Sequence, residues 1–222
     1  MTRIANARRH ALLDLDGTLI DPKAGIIGSV RYALDKLGAP VPEIHELTWC
    51  IGPPLRQSFA KLLASEASVE QAIALYRENY RNGAMYEAAV YDGVSRMLDD
   101  LHAAGLRLLI VTSKPKVFAE PIARHFGFMR HVEAVHGPGL DGTHDDKTEL
   151  LAAVLEREKI AGRQAVMIGD RKFDCLAANA NGLPLLGALW GYGTAEELTE
   201  AGAAELCAAP AEVAPRVRRL LV

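Results

Sequence analysis

Apolar residues along this chain fall into two rhythms: short unbroken runs that stop on a polar residue, and longer stretches in which they recur every three or four positions. His10-Ala-Leu-Leu-Asp14 is the first short run. It ends on an acid, the pattern of a buried parallel strand whose carboxyl end meets solvent. Residues 106–112, 164–170 and 184–190 repeat it and predict three more buried strands. Between them the spacing predicts helices over 94–104, 117–126, 147–158 and 173–180, with Gly105, Gly127 and Gly182 as C-terminal stops. Strand alternating with helix means an α/β fold with a parallel sheet.

Residues 21–85 break that rhythm. Stretches 26–37, 54–63 and 69–81 read as amphipathic helices with no convincing strand among them, which predicts an inserted helical cap. Asp21-Pro22 and the segment 84–91, followed by the Asp92-Gly93 turn, are its expected hinges. The expected division is therefore a core of residues 1–20 and 86–222 and a cap of 21–85.

Composition narrows the class without changing this picture. At 222 residues, half of them hydrophobic and about a quarter charged, the chain has an ordinary globular composition. The 25 Lys and Arg against 28 Asp and Glu give a formal charge of −3, so nothing attracts a nucleic acid polymer or an anionic lipid surface globally. Arg3, Arg8, Arg9 and His10 are followed only by Ala11-Leu12-Leu13 before Asp14, too short an apolar run for a signal peptide, and no stretch reaches membrane-spanning length. Cys50, Cys175 and Cys207 form no Cys-x-x-Cys pair and suggest neither a disulfide framework nor a zinc knuckle. A cytoplasmic protein, monomer or homodimer, is expected.

The candidate chemistry begins at Leu13-Asp14-Leu15-Asp16-Gly17-Thr18. Asp-x-Asp-Gly-Thr arises by accident in a chain of this length with a chance of about one in a thousand at ordinary residue frequencies. A capped turn after a strand would explain it alone. It would not explain three further polar elements arriving in order at expected strand ends or helix starts: Thr112-Ser113, Lys147, and Asp170 with Asp174. Carboxyl ends of parallel strands line one crevice, so residues far apart in sequence converge there. Each element also has a plain structural use, Thr112-Ser113 as a helix N-cap, Lys147 as a solvated cation and Asp174 as a first-turn acid.

This ordered set resembles the haloacid dehalogenase superfamily over essentially the whole chain, specifically its phosphoglycolate phosphatase-like and 5′-nucleotidase-like branch. The resemblance implies a doubly wound, Rossmann-like core, a covalent aspartyl-phosphate and Mg²⁺. It implies Asp14 as nucleophile and Asp16 as the acid that protonates the leaving oxygen and then activates water. Asp14, the backbone carbonyl of Asp16 and Asp170 are implied metal ligands, with Asp174 ligating through water or orienting Lys147. Thr112, Ser113 and Lys147 are the implied phosphoryl-binding groups. An acid at Asp16 argues for a phosphorylated substrate, since a halide leaving group needs no proton.

Within the cap, Ile51-Gly-Pro-Pro-Leu-Arg56 looks like the substrate-facing turn of phosphoglycolate phosphatase-like members, which makes Arg56 a candidate contact for an anionic leaving group. Lys23 and Lys36 lack the spacing from Asp14 of a phosphonoacetaldehyde hydrolase lysine. Gly182 to Thr194 resembles the last strand and loop of the same branch, with Trp190 and Tyr192 read as packing residues. His102, His125, His131, His136 and His144 have no ligand spacing and read as surface or loop residues. The expected activity is a Mg²⁺-dependent phosphatase of small phosphorylated metabolites, phosphoglycolate phosphatase-like. A 5′-nucleotidase is the main alternative, followed by a sugar phosphomutase and a noncatalytic relative.

Overall fold

The computed structural model describes residues 9–161 and 164–221; Arg3 and Arg8 lie outside them. In chain order the elements are β1 (His10–Leu13), β2 (Ile20–Asp21), α1 (Lys23–Lys36), α2 (Leu55–Leu62), α3 (Glu66–Arg81), β3 (Ala89–Val90), α4 (Val94–Ala103), β4 (Arg107–Val111) and α5 (Lys116–His125). They continue with β5 (Val132–His136), α6 (Lys147–Arg157), β6 (Ala165–Gly169), α7 (Lys172–Ala180), β7 (Leu185–Ala188), α8 (Ala195–Glu200), β8 (Glu205–Cys207) and α9 (Val213–Leu220). The chain divides into two compact units, one of residues 1–19 and 90–222, the other of residues 20–89.

The larger unit is built on a six-stranded sheet in the order β5-β4-β1-β6-β7-β8, with every pairing parallel. All four residues of β1 and all five of β6 are buried, which is why their sequences run apolar without alternation. Leu13 pairs with Ile110 on one side and Ile168 on the other, so β1, β4 and β6 end within one residue of one another and their next residues share one edge. On one face Leu12, Leu109, Val111 and Met167 pack with Leu150, Leu151 and Val154 of α6 and Cys175, Ala177 and Ala178 of α7. Gly105, Gly127 and Gly182 adopt positive φ after α4, α5 and α7, ending each helix.

The smaller unit is helical. α1 and α3 pack together, and Val30, Ala33 and Leu34 of the first and Val69, Ala72 and Ile73 of the second are all buried. Phe59 of α2 is fully buried and meets Tyr76 edge-on, with ring centroids 6.3 Å apart, while Tyr76 stacks on Tyr80. Asn79 Nδ2 donates to Ser29 Oγ at 3.0 Å, joining α3 to α1. The helix α1 starts at Lys23, three residues before its apolar periodicity begins, because Pro22 sets the backbone at its start. A cavity of about 740 Å³ in this unit is lined by Lys23, Ile27, Arg31 and Ile44, among others.

Four strands, β2, β3, β5 and β8, and two helices, α8 and α9, were not anticipated. β5 lies at a sheet edge, where Glu133 and His136 interrupt its apolar residues, and β8 is three residues long, so neither presents an apolar run. The same edge position corrects the expectation for His136: it is a buried strand residue whose Nε2 lies 3.1 Å from the Glu158 carboxylate. His131 pairs instead with Asp99 at 2.8 Å. All three cysteines are buried and free.

Phe59→Ala removes the ring that closes the aromatic stack of the smaller unit and leaves a cavity, so it should cost about 3–5 kcal/mol of that unit's stability. Denaturant unfolding followed by tyrosine fluorescence would check it. A loss below about 1 kcal/mol would show that the stack does not hold the helices together.

Candidate active site

Asp14 is the first residue beyond β1, and its N–H donates to the Ile168 carbonyl at 2.9 Å, so the sheet ladder itself fixes its backbone. Asp170 stands at the matching place beyond β6 and is fully buried. Asp174 lies in the first turn of α7, where its Oδ2 accepts the Arg171 N–H at 3.0 Å and caps the helix start. One carboxylate oxygen from each of Asp14, Asp170 and Asp174 lies within 4.8 Å of the other two.

Three buried carboxylates so close repel one another. Burial, with Asp174 and Asp14 alongside, pushes the Asp170 carboxyl well above the usual aspartate value. Burial likewise pushes Asp174 up to about 6, against the pull of Lys147. Lys147 opens α6 behind the N-cap Asp146, whose side chain accepts the Thr148 and Glu149 amides. Its ammonium is 2.8 Å from Asp14 Oδ1 and also pairs with Asp174 Oδ1. Burial alone would lower the Lys147 pKa, but Asp14 and Asp174 together raise it above its ordinary value, so it stays charged.

Close approach of three loops holds Asp170. Tyr192 N–H donates to its Oδ2 at 2.8 Å, and the Trp190 indole donates to the Thr18 carbonyl at 3.0 Å. Gly17 has φ +81, and a Cβ there would stand 2.1 Å from the Asp170 carboxylate. A Cβ on Gly191 would meet the Gly17 carbonyl at 2.3 Å. The Gly in Asp-x-Asp-Gly-Thr and the Gly in Trp-Gly-Tyr are therefore spatial requirements of the carboxylate between them. Trp190 and Tyr192 serve as ties within this unit.

The structure brings together Asp14, Lys147, Asp170 and Asp174. Asp16, two residues beyond Asp14, pairs with a residue the sequence reading passed over, Lys114, at 2.8 Å. Burial raises the Asp16 carboxyl above its ordinary value, with Lys114 opposing. Lys114 sits in the same turn as Thr112 and Ser113, directly before the Pro115 that starts α5. Its one sequence signal is a lysine inside a tight strand-to-helix turn, where a solvated side chain is the ordinary reading. Thr112 is buried and its hydroxyl accepts the Lys114 N–H at 3.2 Å; Ser113 beside it is half-buried. Arg56 lies in the smaller unit, on α2, with its guanidinium paired to Glu66 and Glu70 of α3.

The donor set suits a hard divalent cation: oxygens only, three of them carboxylates, two with protonation raised by burial and by the carboxylates beside them, which a cation would relieve. A family model of haloacid dehalogenase-like hydrolases matches residues 11–188. The chain belongs to that family. It is 43% identical over 200 residues to a 5′-nucleotidase of Pseudomonas aeruginosa, covering 90% of each chain. It is 31% identical over 186 residues to a phosphoglycolate phosphatase of Xanthomonas campestris, covering 83% of this chain and 84% of the relative. The tyrosine-protein kinase PtkA of Mycobacterium tuberculosis is 39% identical over 185 residues, 83% of this chain but 63% of the relative. A solved structure of a predicted phosphatase from Clostridium acetobutylicum superposes with a TM-score of 0.90 at 35% identity, covering 96% of this chain and all of that one. Among the described residues of this haloacid dehalogenase-like chain, no helix is long and apolar enough to cross a membrane.

A carboxyl whose folded pKa is raised binds its proton more tightly when folded, so its contribution is present below the unfolded pKa and is lost as pH rises through the folded value. With chelator present, the wild type should lose stability through Asp174 as pH rises from about 4 past about 6. Asp174→Asn should lack that component, and a divalent cation should restore the wild type. Thermal melts of both proteins across this range decide it. Identical slopes in the two proteins would refute the raised protonation of Asp174.

Proposed function

We propose that this protein is a Mg²⁺-dependent phosphatase of small phosphomonoesters that works through an aspartyl-phosphate on Asp14. The observation that carries the reading is the placement of Asp14 beside the Lys147 ammonium and within 4.8 Å of the Asp170 and Asp174 carboxylates, with Asp16 two residues on. Membership of a hydrolase family whose relatives are named as phosphatases and a nucleotidase supports it.

A carboxylate oxygen of Asp14 attacks phosphorus, the ester P–O bond breaks, and the leaving oxygen takes a proton from Asp16. Water then attacks the aspartyl-phosphate, giving its proton back to Asp16, and phosphate departs with Asp14 restored. Lys147 offsets charge on the phosphoryl oxygens and fixes Asp14, while Asp174 holds Lys147. Thr112 and Ser113 supply hydrogen-bond donors for the phosphoryl group. Asp14, Asp170 and Asp174, with the Asp16 carbonyl, would hold the Mg²⁺, which when bound supplies Lewis-acid polarisation and neutralises the carboxylates.

The smaller unit, residues 20–89, is assigned the role of a cap that recognises the leaving group. Nucleoside 5′-monophosphates and phosphoglycolate are the two substrate classes in question, and the 43% identical nucleotidase favours the first. The relation to a tyrosine kinase raises a different acceptor, a phenolic hydroxyl in place of water. Free phosphate as product separates hydrolysis from transfer.

A Mg²⁺-dependent phosphate-release screen over nucleoside monophosphates, phosphoglycolate and sugar phosphates tests the reading. Asp14→Asn should lower turnover by at least about 10³-fold, and chelation should abolish it. No release from any substrate would end the proposal. In the same screen, a raised KM with unchanged kcat for Arg56→Ala would place Arg56 on the leaving group; an unchanged KM would leave it as a tie between α2 and α3.

A further inference from the structure

Of the two buried lysines at the carboxyl edge of the sheet, Lys147 belongs to Asp14 and Asp174, and Lys114 pairs with Asp16. The Lys114 side chain is 6% exposed and that of Asp16 is 13% exposed, so their 2.8 Å pair is little screened by water. The pair is one-sided. Lys114 meets Oδ2, whereas Oδ1 of the same carboxyl is buried with no hydrogen-bond partner among the described residues.

The backbone that carries Lys114 is fixed from both sides. Thr112 N–H donates to the His136 carbonyl at 3.0 Å, and Lys116 N–H donates to the Pro138 carbonyl at 3.1 Å. Between these bonds, the Lys114 carbonyl packs so near Gly137 that a Cβ there would approach it to 2.3 Å. The Lys114 N–H is itself held by Thr112 Oγ1. A lysine on a turn pinned in this way loses little further freedom when its ammonium is used as a fixed point.

We propose that Lys114 is the positioning residue for Asp16: it anchors Oδ2 and thereby aims Oδ1, the oxygen that carries the proton, at the leaving oxygen. This rests on the phosphatase reading above. In the first half-reaction the proton on Oδ1 passes to the ester oxygen as the P–O bond breaks, and the carboxylate left behind is stabilised by the ammonium on Oδ2. In the second half-reaction, a proton of the attacking water returns to Oδ1. The ammonium transfers nothing. It sets geometry and stabilises the charge that Asp16 acquires.

The consequence is a dependence on the leaving group. An alkyl phosphate needs the proton, whereas p-nitrophenyl phosphate releases a stabilised phenolate without one. The test is single-turnover ester cleavage by the full chain with Mg²⁺, comparing p-nitrophenyl phosphate with the alkyl ester that the wild type cleaves best. Lys114→Met should slow alkyl ester cleavage by about 100-fold, the lower end of a general acid's contribution, and change nitrophenolate release by no more than about threefold. The ratio of the two rates is the readout, and Lys114→Gln, a milder loss of charge, should move it in the same direction. Lys114→Arg, which keeps the charge, should recover at least about tenfold of the alkyl rate lost in the Met variant.

Equal slowing of both esters in the Met and Gln variants, or no slowing of the alkyl ester, would overturn the assignment while leaving the phosphatase reading intact. A wild type inactive on both esters would overturn both.

Discussion

Three aspartate carboxylates gathered within 4.8 Å must be offset by positive charge, and most of the larger unit is arranged around that requirement. Two unit charges 4 Å apart repel by about 4 kcal/mol at the effective dielectric of a protein near its surface. Three such pairs would consume a typical domain's net stability of roughly 5–15 kcal/mol. Lys147 is the chain's own answer, shared between Asp14 and Asp174, and its raised pKa is the reciprocal of the repulsion it relieves. Among the described residues no lysine forms an ion pair with Asp170. Its carboxylate accepts the Tyr192 amide instead, and burial beside Asp174 and Asp14 raises its pKa, a cost that a divalent cation would relieve.

The parallel sheet turns this electrostatic problem into a local one. β1, β4 and β6 are adjacent and end within one residue of one another, so Asp14, Thr112 and Asp170 are neighbours by topology, without long loops to bring them there. Lys147 and Asp174 come from the first turns of helices α6 and α7, whose starts face the same edge. Close packing at Gly17 and Gly191 then lets two loops reach Asp170 without a side chain intervening. A carboxylate placed by strand ends, helix starts and glycine contacts has little room to relax, which is the preorganisation that phosphoryl chemistry demands.

Much of this was legible in the sequence because the central strands are buried on both faces and therefore read as apolar runs. Asp14, Asp170, Asp174 and Lys147 follow those runs at strand ends and helix starts, so pattern and chemistry pointed the same way. β5 and β8 were hidden for the opposite reason: in the edge strand Val132-Glu-Ala-Val-His136 polar residues break the apolar run, and three residues are too few to show a period. Lys114 was hidden because lysine in a turn is ordinarily solvated, and its burial depends on bonds from Thr112 and Lys116 to residues 136 and 138. Arg56 illustrates the converse. Its neighbours in sequence suggested a ligand contact, while its ion pairs come from Glu66 and Glu70 on the next helix, a tertiary fact with no sequence period.

The two lysines differ in a way that separates position from chemistry. Lys147 bridges two carboxylates and so ties the strand end at Asp14 to the helix start at Asp174. Any relative that uses the same acidic cluster has the same repulsion to offset, whatever its leaving group or acceptor. Lys114 pairs with the second carboxyl of the Asp14-Leu-Asp16 pair, whose task in the proposed mechanism varies with the proton demand of the departing oxygen. Relatives named as a nucleotidase, a phosphoglycolate phosphatase and a tyrosine kinase all align with this chain over more than four-fifths of its length. On the proposed mechanism, differences among such proteins in what leaves or accepts the phosphoryl group are to be sought in groups outside the Asp14, Lys147, Asp170 and Asp174 constellation, because in that mechanism the constellation acts on the phosphorus and its charge.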